Sequence, residues 1–362
     1  MLPTVGCSRA IGARVISPIC FRHCGCNSSV AVSPRLLVAL AVLAGCAGDA
    51  PPRSPEDPSP DGGTDPGDTG NGDPDGGTAP SDPFDAAALG ARVTQLSTGA
   101  CADRAAGTPG DKQAADVIAG RFAALGLQTQ RQPFTDAAGH ATENVIALAP
   151  AVANAKDAIV IGAHRDTLPA NGTTQFPGAN ANATGSAALL AIGEALAAKA
   201  PAKRQVILVS FGAGEGPVAA GASYFLQQLP PDAKAGIVLM VDLDMLGTYS
   251  AQDTVFALGA STSPTGRAVL EDRGGASFPL LLDLDSAADG SDHVPFCTAG
   301  IPYTVFYTPD PDCYHKACDT PDRVETDTMA QIAQLAAQFT SDLATSTADL
   351  AGERAANGCV DR

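Results

Sequence analysis

Three apolar runs constrain this chain more than any other feature: DAIVIGAH over 157–164, RQVILVSFGAGE over 204–215 and AGIVLMVDLDM over 235–245. Each is apolar at consecutive positions, the pattern of a central strand covered on both faces. Each also runs into a residue with a metal-binding side chain: His164, Glu215 and Asp244. Open α/β sheets place their sites beyond the carboxyl ends of strands, so these three side chains are expected to converge. A fourth donor, His315, stands in DCYHKACDT between Cys313 and Cys318. Two imidazoles and two carboxylates form a credible zinc set, because zinc takes nitrogen and oxygen donors from these side chains.

Around these runs, strand-like and helix-like segments alternate. Helical patterns cover 111–125, 184–199, 217–229 and 325–345, and further strand-like runs are NVIALA, TVFALG, PLLLDL and YTVFYT. One domain over residues 84–362, a three-layer α/β/α sandwich, follows from the alternation.

What precedes that domain differs in composition. Residues 1–46 hold four Arg and no acidic residue, whereas the remainder holds 18 basic and 39 acidic residues, a net of −21. Nucleic acid is excluded as a partner for so acidic a surface. Residues 1–29, with four cysteines, read as an N-terminal extension, and Val30 and Val32 are alternative starts. Residues 30–46 read as a signal peptide: LLVALAVLAGC is about ten apolar residues, short of the roughly 20 that span a bilayer. Its end, Leu43-Ala44-Gly45-Cys46, resembles the bacterial lipobox and implies acylation at Cys46. Residues 47–83 are Asp, Gly, Pro, Ser, Thr and Ala almost throughout, a disordered acidic spacer that cannot bury apolar surface. The expected location is the bacterial cell envelope, with the lipid as the membrane contact, and Ala47 after Cys46 favours the outer membrane.

Six ordered motifs, GAHRDT, PGANANATGSAALL, FGAGEG, VDLDMLG, SDHVPF and CYHKACDT, resemble those of the zinc exopeptidases of peptidase family M28, which include the bacterial leucyl aminopeptidases and aminopeptidase S. The resemblance spans roughly residues 90–345. It implies a mostly parallel, mixed central sheet and two zinc ions bridged by an aspartate and a water, with a glutamate as general base. Carried over, His164 and Asp244 match ligands of one zinc, and Glu215 and His315 ligands of the other. Tyr314 matches an oxyanion-stabilising tyrosine, and Asp166 the residue that orients the first histidine. A Cys313–Cys318 disulfide is also implied, as is an oxidising compartment. Cys101 and Cys359 are a candidate second pair, with connectivity left open by the sequence and Cys297 left over as a small buried apolar residue.

Two departures are as specific as the matches. Ala181 stands where the family has its bridging aspartate, and Gly214 where it has the general base. A positioned base is worth about 10²–10⁴ in rate, so two readings follow. One is a pseudo-peptidase that binds a peptide or protein N-terminus, as in the transferrin receptor-like and nicastrin-like relatives that keep the fold without zinc chemistry. The other is a zinc aminopeptidase working with one ion and a base recruited elsewhere, with Asp292 and His293 as the nearest motif-borne candidates for the base or for a supporting role. Glutaminyl cyclase chemistry needs the same two missing carboxylates. A monomer is the expected state.

Overall fold

The computed structural model describes residues 82–216, 218–274, 278–283 and 290–359. The extension at 1–29, the signal segment at 30–46 with Cys46, and the acidic spacer up to Ser81 lie outside them.

Eight strands form one mixed sheet in the order β1-β2-β4-β3-β5-β8-β6-β7. They are β1 (Gln128–Thr135), β2 (Ala141–Leu148), β3 (Ala158–His164), β4 (Gln205–Phe211), β5 (Ile237–Leu243), β6 (Val255–Leu258), β7 (Leu280–Leu282) and β8 (Tyr303–Tyr307). The three apolar runs become β3, β4 and β5, each buried along its whole length. β3 lies parallel between β4 and β5, and β8 continues the parallel set beside β5.

Strand periodicity distributes the burial between two layers. Ile159, Ile161 and Ala163 of β3 join one apolar cluster with Leu89, Phe122, Leu189 and Phe339. These partners come from helices α1 (Ala86–Ser97), α2 (Pro109–Ala124), α3 (Gly185–Ala197) and α8 (Thr326–Thr345). Val160, one residue out of phase, joins Phe225 and Phe296 in the other, from α4 (Ala220–Gln228) and α7 (His293–Thr298). The result is the three-layer α/β/α arrangement. Helices α5 (Pro231–Ala235), α6 (Pro264–Gly274) and α9 (Leu350–Asn357) complete the described α-helices. Among the described residues no helix is long and apolar enough to cross a membrane.

Helix α2 begins at Pro109, two residues before the expected boundary, because Thr108 caps it: its hydroxyl accepts the Asp111 N–H at 3.2 Å, and proline suits the first helical position. β1, QTQRQPFT, carries no apolar run and escaped the sequence reading. It is an edge strand paired on one side only, antiparallel to β2, a position that tolerates Pro133.

The cysteine pairing corrects one expectation. Cys313 and Cys318 are joined, but the second disulfide links Cys297 to Cys359, and Cys101 is free and buried. Cys101 belongs to the cluster formed by α1, α2, α3 and α8. Cys297 lies on α7, which packs with α4 in the opposite layer, and the sheet therefore separates Cys101 from the other two.

Candidate active site

His164 is the last residue of β3 and Asp244 the first after β5. Adjacent parallel strands thus bring His164 Nε2 to 3.6 Å from Asp244 Oδ1. Glu215 lies four residues beyond β4 and His315 in the disulfide-closed loop after β8, and these two meet with Nε2 to Oε2 at 2.8 Å. His315 holds a left-handed backbone, φ 56°, uncommon for a residue with a side chain. Tyr314 stacks on its ring at 3.8 Å between centroids, and burial followed by the charge of Asp244 raises the Tyr314 hydroxyl to about 12. The four donors therefore form two pairs.

Supporting groups differ in part from expectation. The Asp166 carboxylate accepts the N–H groups of Gly214 at 2.6 Å and Glu215 at 3.1 Å, fixing the turn after β4. His164 Nδ1 is 3.2 Å from the Asp166 backbone carbonyl and 3.6 Å from its carboxylate, so Asp166 orients the histidine mainly through its main chain. Ser291 donates to Asp244 Oδ2 at 2.7 Å. Buried Asp242 accepts the N–H of His293 at 3.1 Å and faces its ring Nδ1 at 3.0 Å. His293 is thereby held in a packed position, and its ring stacks on Tyr303 at 4.7 Å. Asp292 is fully buried with both carboxylate oxygens unpartnered among the described residues; burial, then the charge of Asp242, pushes its pKa well above the ordinary 3.8.

The His164–Asp244 pair carries a pH signature. Burial works against charge on both groups, but Asp244 lifts His164 well above 6.5 and His164 holds Asp244 below 3.8. A raised imidazole contributes stability that is complete below its unfolded pKa and is lost as pH rises through its folded value. A depressed carboxylate contributes stability present above its unfolded pKa and lost as pH falls through its folded value. Chelator-treated protein is therefore expected to lose stability as pH rises from 6.5 through the raised His164 value. Urea midpoints measured in pH steps check this, and in His164→Gln the alkaline slope should flatten. An unchanged slope in that variant would exclude the pair as its source.

The two altered positions differ in their surroundings. Ala181 is 4% exposed and presents only a methyl group. Its N–H and that of Asn180 are held by the carboxylate of Asp319 at 3.0 and 2.7 Å. The flanking amides are committed elsewhere: Asn180 bonds Gly247 N–H and Thr248 Oγ1, and Asn182 bonds the Leu243 carbonyl and Gly185 N–H. Neither amide is free to replace a carboxylate at 181. At Gly214, a Cβ would lie 2.2 Å from His164 Cβ and 2.6 Å from its Cγ. The room of a side chain at 214 is taken by His164 itself.

These donors do not fit the two-metal centre that the resemblance implies. Catalytic zinc takes three protein ligands and structural zinc four, whereas each pair supplies two. Among the described residues no three His, Cys, Asp or Glu side chains form a group able to hold a metal ion.

Beside Ala181 lies a small, partly open cleft bordered by Thr167, Phe176, Glu215, His315 and Asp319. Sequence reading assigned no role to Asp242, Ser291, Thr167 or Asp319, although each stands inside a quoted motif, VDLDMLG, SDHVPF, GAHRDT and CYHKACDT in turn. Also unforeseen was Arg104, fully buried behind the site. It donates to the carbonyls of Arg165 at 2.8 Å, Pro177 at 2.9 Å and Gly178 at 2.8 Å, and to that of Leu96. Its clamp fixes the corner at Gly178, where φ is 58° and a Cβ would meet Thr167 Cγ2 at 2.4 Å; only glycine suits it.

Comparison with known proteins agrees with this architecture. Residues 144–340 match the model of Peptidase family M28. Leupeptin-inactivating enzyme 1 of Streptomyces exfoliatus is 29% identical over 216 residues, 59% of this chain and 47% of its own length. An aminopeptidase of Pseudomonas aeruginosa is 27% identical over 235 residues, 57% of this chain and 42% of its own. The chain thus spans less than half the length of these curated relatives. Among solved structures, a zinc aminopeptidase of Bacillus subtilis superposes with a TM-score of 0.62 at 18% identity, over 75% of this chain and 98% of that one. A glutaminyl cyclase of Fimbriiglobus ruber gives 0.60 at 23%, over 72% and 95%.

Proposed function

The chain belongs to peptidase family M28, and from that membership we propose that its domain is a degenerate peptidase, one that binds the amino-terminal end of a peptide or protein without two-metal hydrolysis. The observation that carries this reading is the donor set: His164 with Asp244 and Glu215 with His315 stand as two separate pairs, with the methyl of Ala181 in the place the family gives its bridging carboxylate. Filled space at Gly214 supports it, because a proton acceptor there has no volume to occupy. In this reading Tyr314 and His315 serve as binding surface, His293 supports Asp242 and Ser291 supports Asp244, and Asp292 is a buried packing residue beside them. The protein is further proposed to be a monomer anchored in the bacterial envelope through a lipid at Cys46, with the acidic spacer holding the domain off the membrane.

A single-zinc aminopeptidase is the second reading. It is favoured by the 3.6 Å between His164 Nε2 and Asp244 Oδ1, near the roughly 3.3 Å that separates two donors each about 2.0–2.1 Å from one tetrahedral zinc.

Metal content by mass spectrometry and turnover of aminoacyl anilides separate the two. The expected result is less than one zinc per chain and turnover at least about 10²–10⁴ below that of an intact relative. Two zinc ions with turnover in the ordinary range of about 1–10³ per second would overturn the proposal. One zinc with turnover abolished by a chelator would select the second reading.

A further inference from the structure

We infer that the Cys313–Cys318 disulfide is a redox latch: a dithiol reductant opens it in the folded protein and frees His315 from Glu215, with Tyr314 beside it, while Cys297–Cys359 stays closed. The latch governs access to Glu215 whatever ligand the domain takes.

The two bridges differ in exposure and in span. Cys318 is exposed and Cys313 buried, so an incoming thiolate meets the Cys318 sulfur. Cys297 is buried and Cys359 half-buried, and exposed bridges are the labile ones. Separations of 5 and 62 residues constrain the unfolded chain by roughly the 3/2 power of loop length, so opening the short bridge costs the fold about fortyfold less. The domain therefore survives its opening. In the exchange the thiolate bonds to Cys318 Sγ, the bridge breaks, and Cys313 leaves with the electron pair and takes a proton. The second thiol of the reductant then displaces Cys318 in the same way, so two electrons reach the protein and the reductant ends as a disulfide.

What the bridge closes is a short flap with fixed ends. Asp310, 5% exposed, accepts the N–H of Cys313 at 2.8 Å. Asp319, 2% exposed, accepts those of Asn180 and Ala181 at 2.7 and 3.0 Å. Between these anchors the Tyr314 N–H donates to the Asp310 carbonyl at 3.2 Å, the Lys316 N–H to that of Cys313 at 3.0 Å, and Lys316 Nζ to that of Asp312 at 2.6 Å. Among the described residues, the polar contact of 314–318 that reaches beyond 310–320 is that of His315 with Glu215. The backbone there is held against preference: the φ of 56° at His315 is disfavoured by about tenfold for a residue with a Cβ. An open bridge lets that backbone return to the right-handed or extended region, carrying the imidazole off Glu215 and leaving Asp310 and Asp319 in place.

Full chain incubated with graded dithiothreitol, then alkylated and mapped by peptide mass spectrometry, tests this. Cys313 and Cys318 are expected to label at about a tenth or less of the reductant that Cys297 and Cys359 require, with far-ultraviolet circular dichroism unchanged. On that partial reduction, acylation of His315 by diethylpyrocarbonate should quicken by about tenfold, and that of His293, 3% exposed, should not. Hydrogen exchange should rise over 311–318 and stay unchanged over 178–182. Cys313→Ser combined with Cys318→Ser should show the fast His315 reaction without reductant, and reduced wild type reads the same change without a substitution. Simultaneous reduction of both bridges, or a need for denaturant to open Cys313–Cys318, would overturn the latch. So would an unchanged His315 reaction in the reduced protein, which would leave the bridge a static brace.

Discussion

Ala181→Asp is expected to raise zinc affinity by at least about a hundredfold, while Gly214→Glu is expected to destabilise the domain instead of restoring a base. The first expectation follows from the donor count. Changes to residues that merely support ligands cost about 10–100-fold in metal affinity, and a carboxylate shared by both pairs supplies a missing ligand to each. Room exists for it: Ala181 borders the open cleft with Glu215 and His315, and Asp319 holds the backbone at 180–181 independently of the side chain at 181. Position 214 is different. A Cβ there meets His164 at its own Cβ and Cγ, 2.2 and 2.6 Å away, the rigid base of the side chain and not a flexible tip. Accommodation requires the imidazole to leave Asp244, and overpacking of this kind costs about 1–3 kcal/mol. Competition with a chromogenic chelator and urea midpoints without metal, across wild type, both single variants and the double variant, check both halves. Neighbouring sites should couple, so the double variant should fall short of the sum of its parts. Unchanged zinc affinity in Ala181→Asp would show that the paired side chains are not poised for metal. An unaltered midpoint in Gly214→Glu would show that His164 yields without cost.

That asymmetry illustrates how far the sequence alone reaches. β3, β4 and β5 were legible because a doubly covered strand must be apolar at every position, and His164 and Asp244 were legible because strand ends are where such sheets place their chemistry. Substitutions at 181 and 214 stood out against a family pattern. What could not be read was the response of the surroundings. Nothing in the string FGAGEG says that His164 fills the space above Gly214, and nothing in GANANAT says that both asparagines are already bonded to Thr248 and Leu243. β1 was missed because a strand paired on one side needs few apolar residues. The second disulfide was misassigned because separation along the chain carries no information about which side of a sheet a cysteine occupies. The roles of Asp242 and Arg104 were not legible for a related reason: in sequence a buried charge looks like an exposed one, and its partners, here His293 for one and four main-chain carbonyls for the other, lie far away in the chain.

Arg104 is accordingly the position where substitution should cost the most. Arg104→Met keeps most of the volume and removes the guanidinium, leaving the carbonyls of Leu96, Arg165, Pro177 and Gly178 without their donor in a buried place. Burial lowers the arginine pKa only to about 10, so at neutral pH the wild-type group is charged. Hydrogen bonds to a charged group contribute about 1.5–3 kcal/mol each, and unpaired buried groups cost about 1–3 kcal/mol. Against this stands the relief of no longer burying a cation with no carboxylate in direct contact, which makes simple addition of four bonds an overestimate. A loss of about 3–5 kcal/mol, the range for breaking a buried charged pair, is the expected balance. For a domain of this size each kcal/mol shifts the thermal midpoint by roughly 2–4 °C, so scanning calorimetry should show a fall of about 6–20 °C. The damage should be local as well as global. Because the clamp holds the β3 exit at Arg165 against the corner at Gly178, hydrogen exchange should accelerate at residues 165–181 well before it does in β4 and β5. Arg104→Lys restores a charge but not the fork that reaches four carbonyls at once, and should recover only part of the loss. If Arg104→Met left both the midpoint and the exchange of residues 165–181 unchanged, the corner beside Ala181 would have to be held by its glycine and backbone alone, and Arg104 would be a tolerated buried charge instead of the clamp that shapes the site.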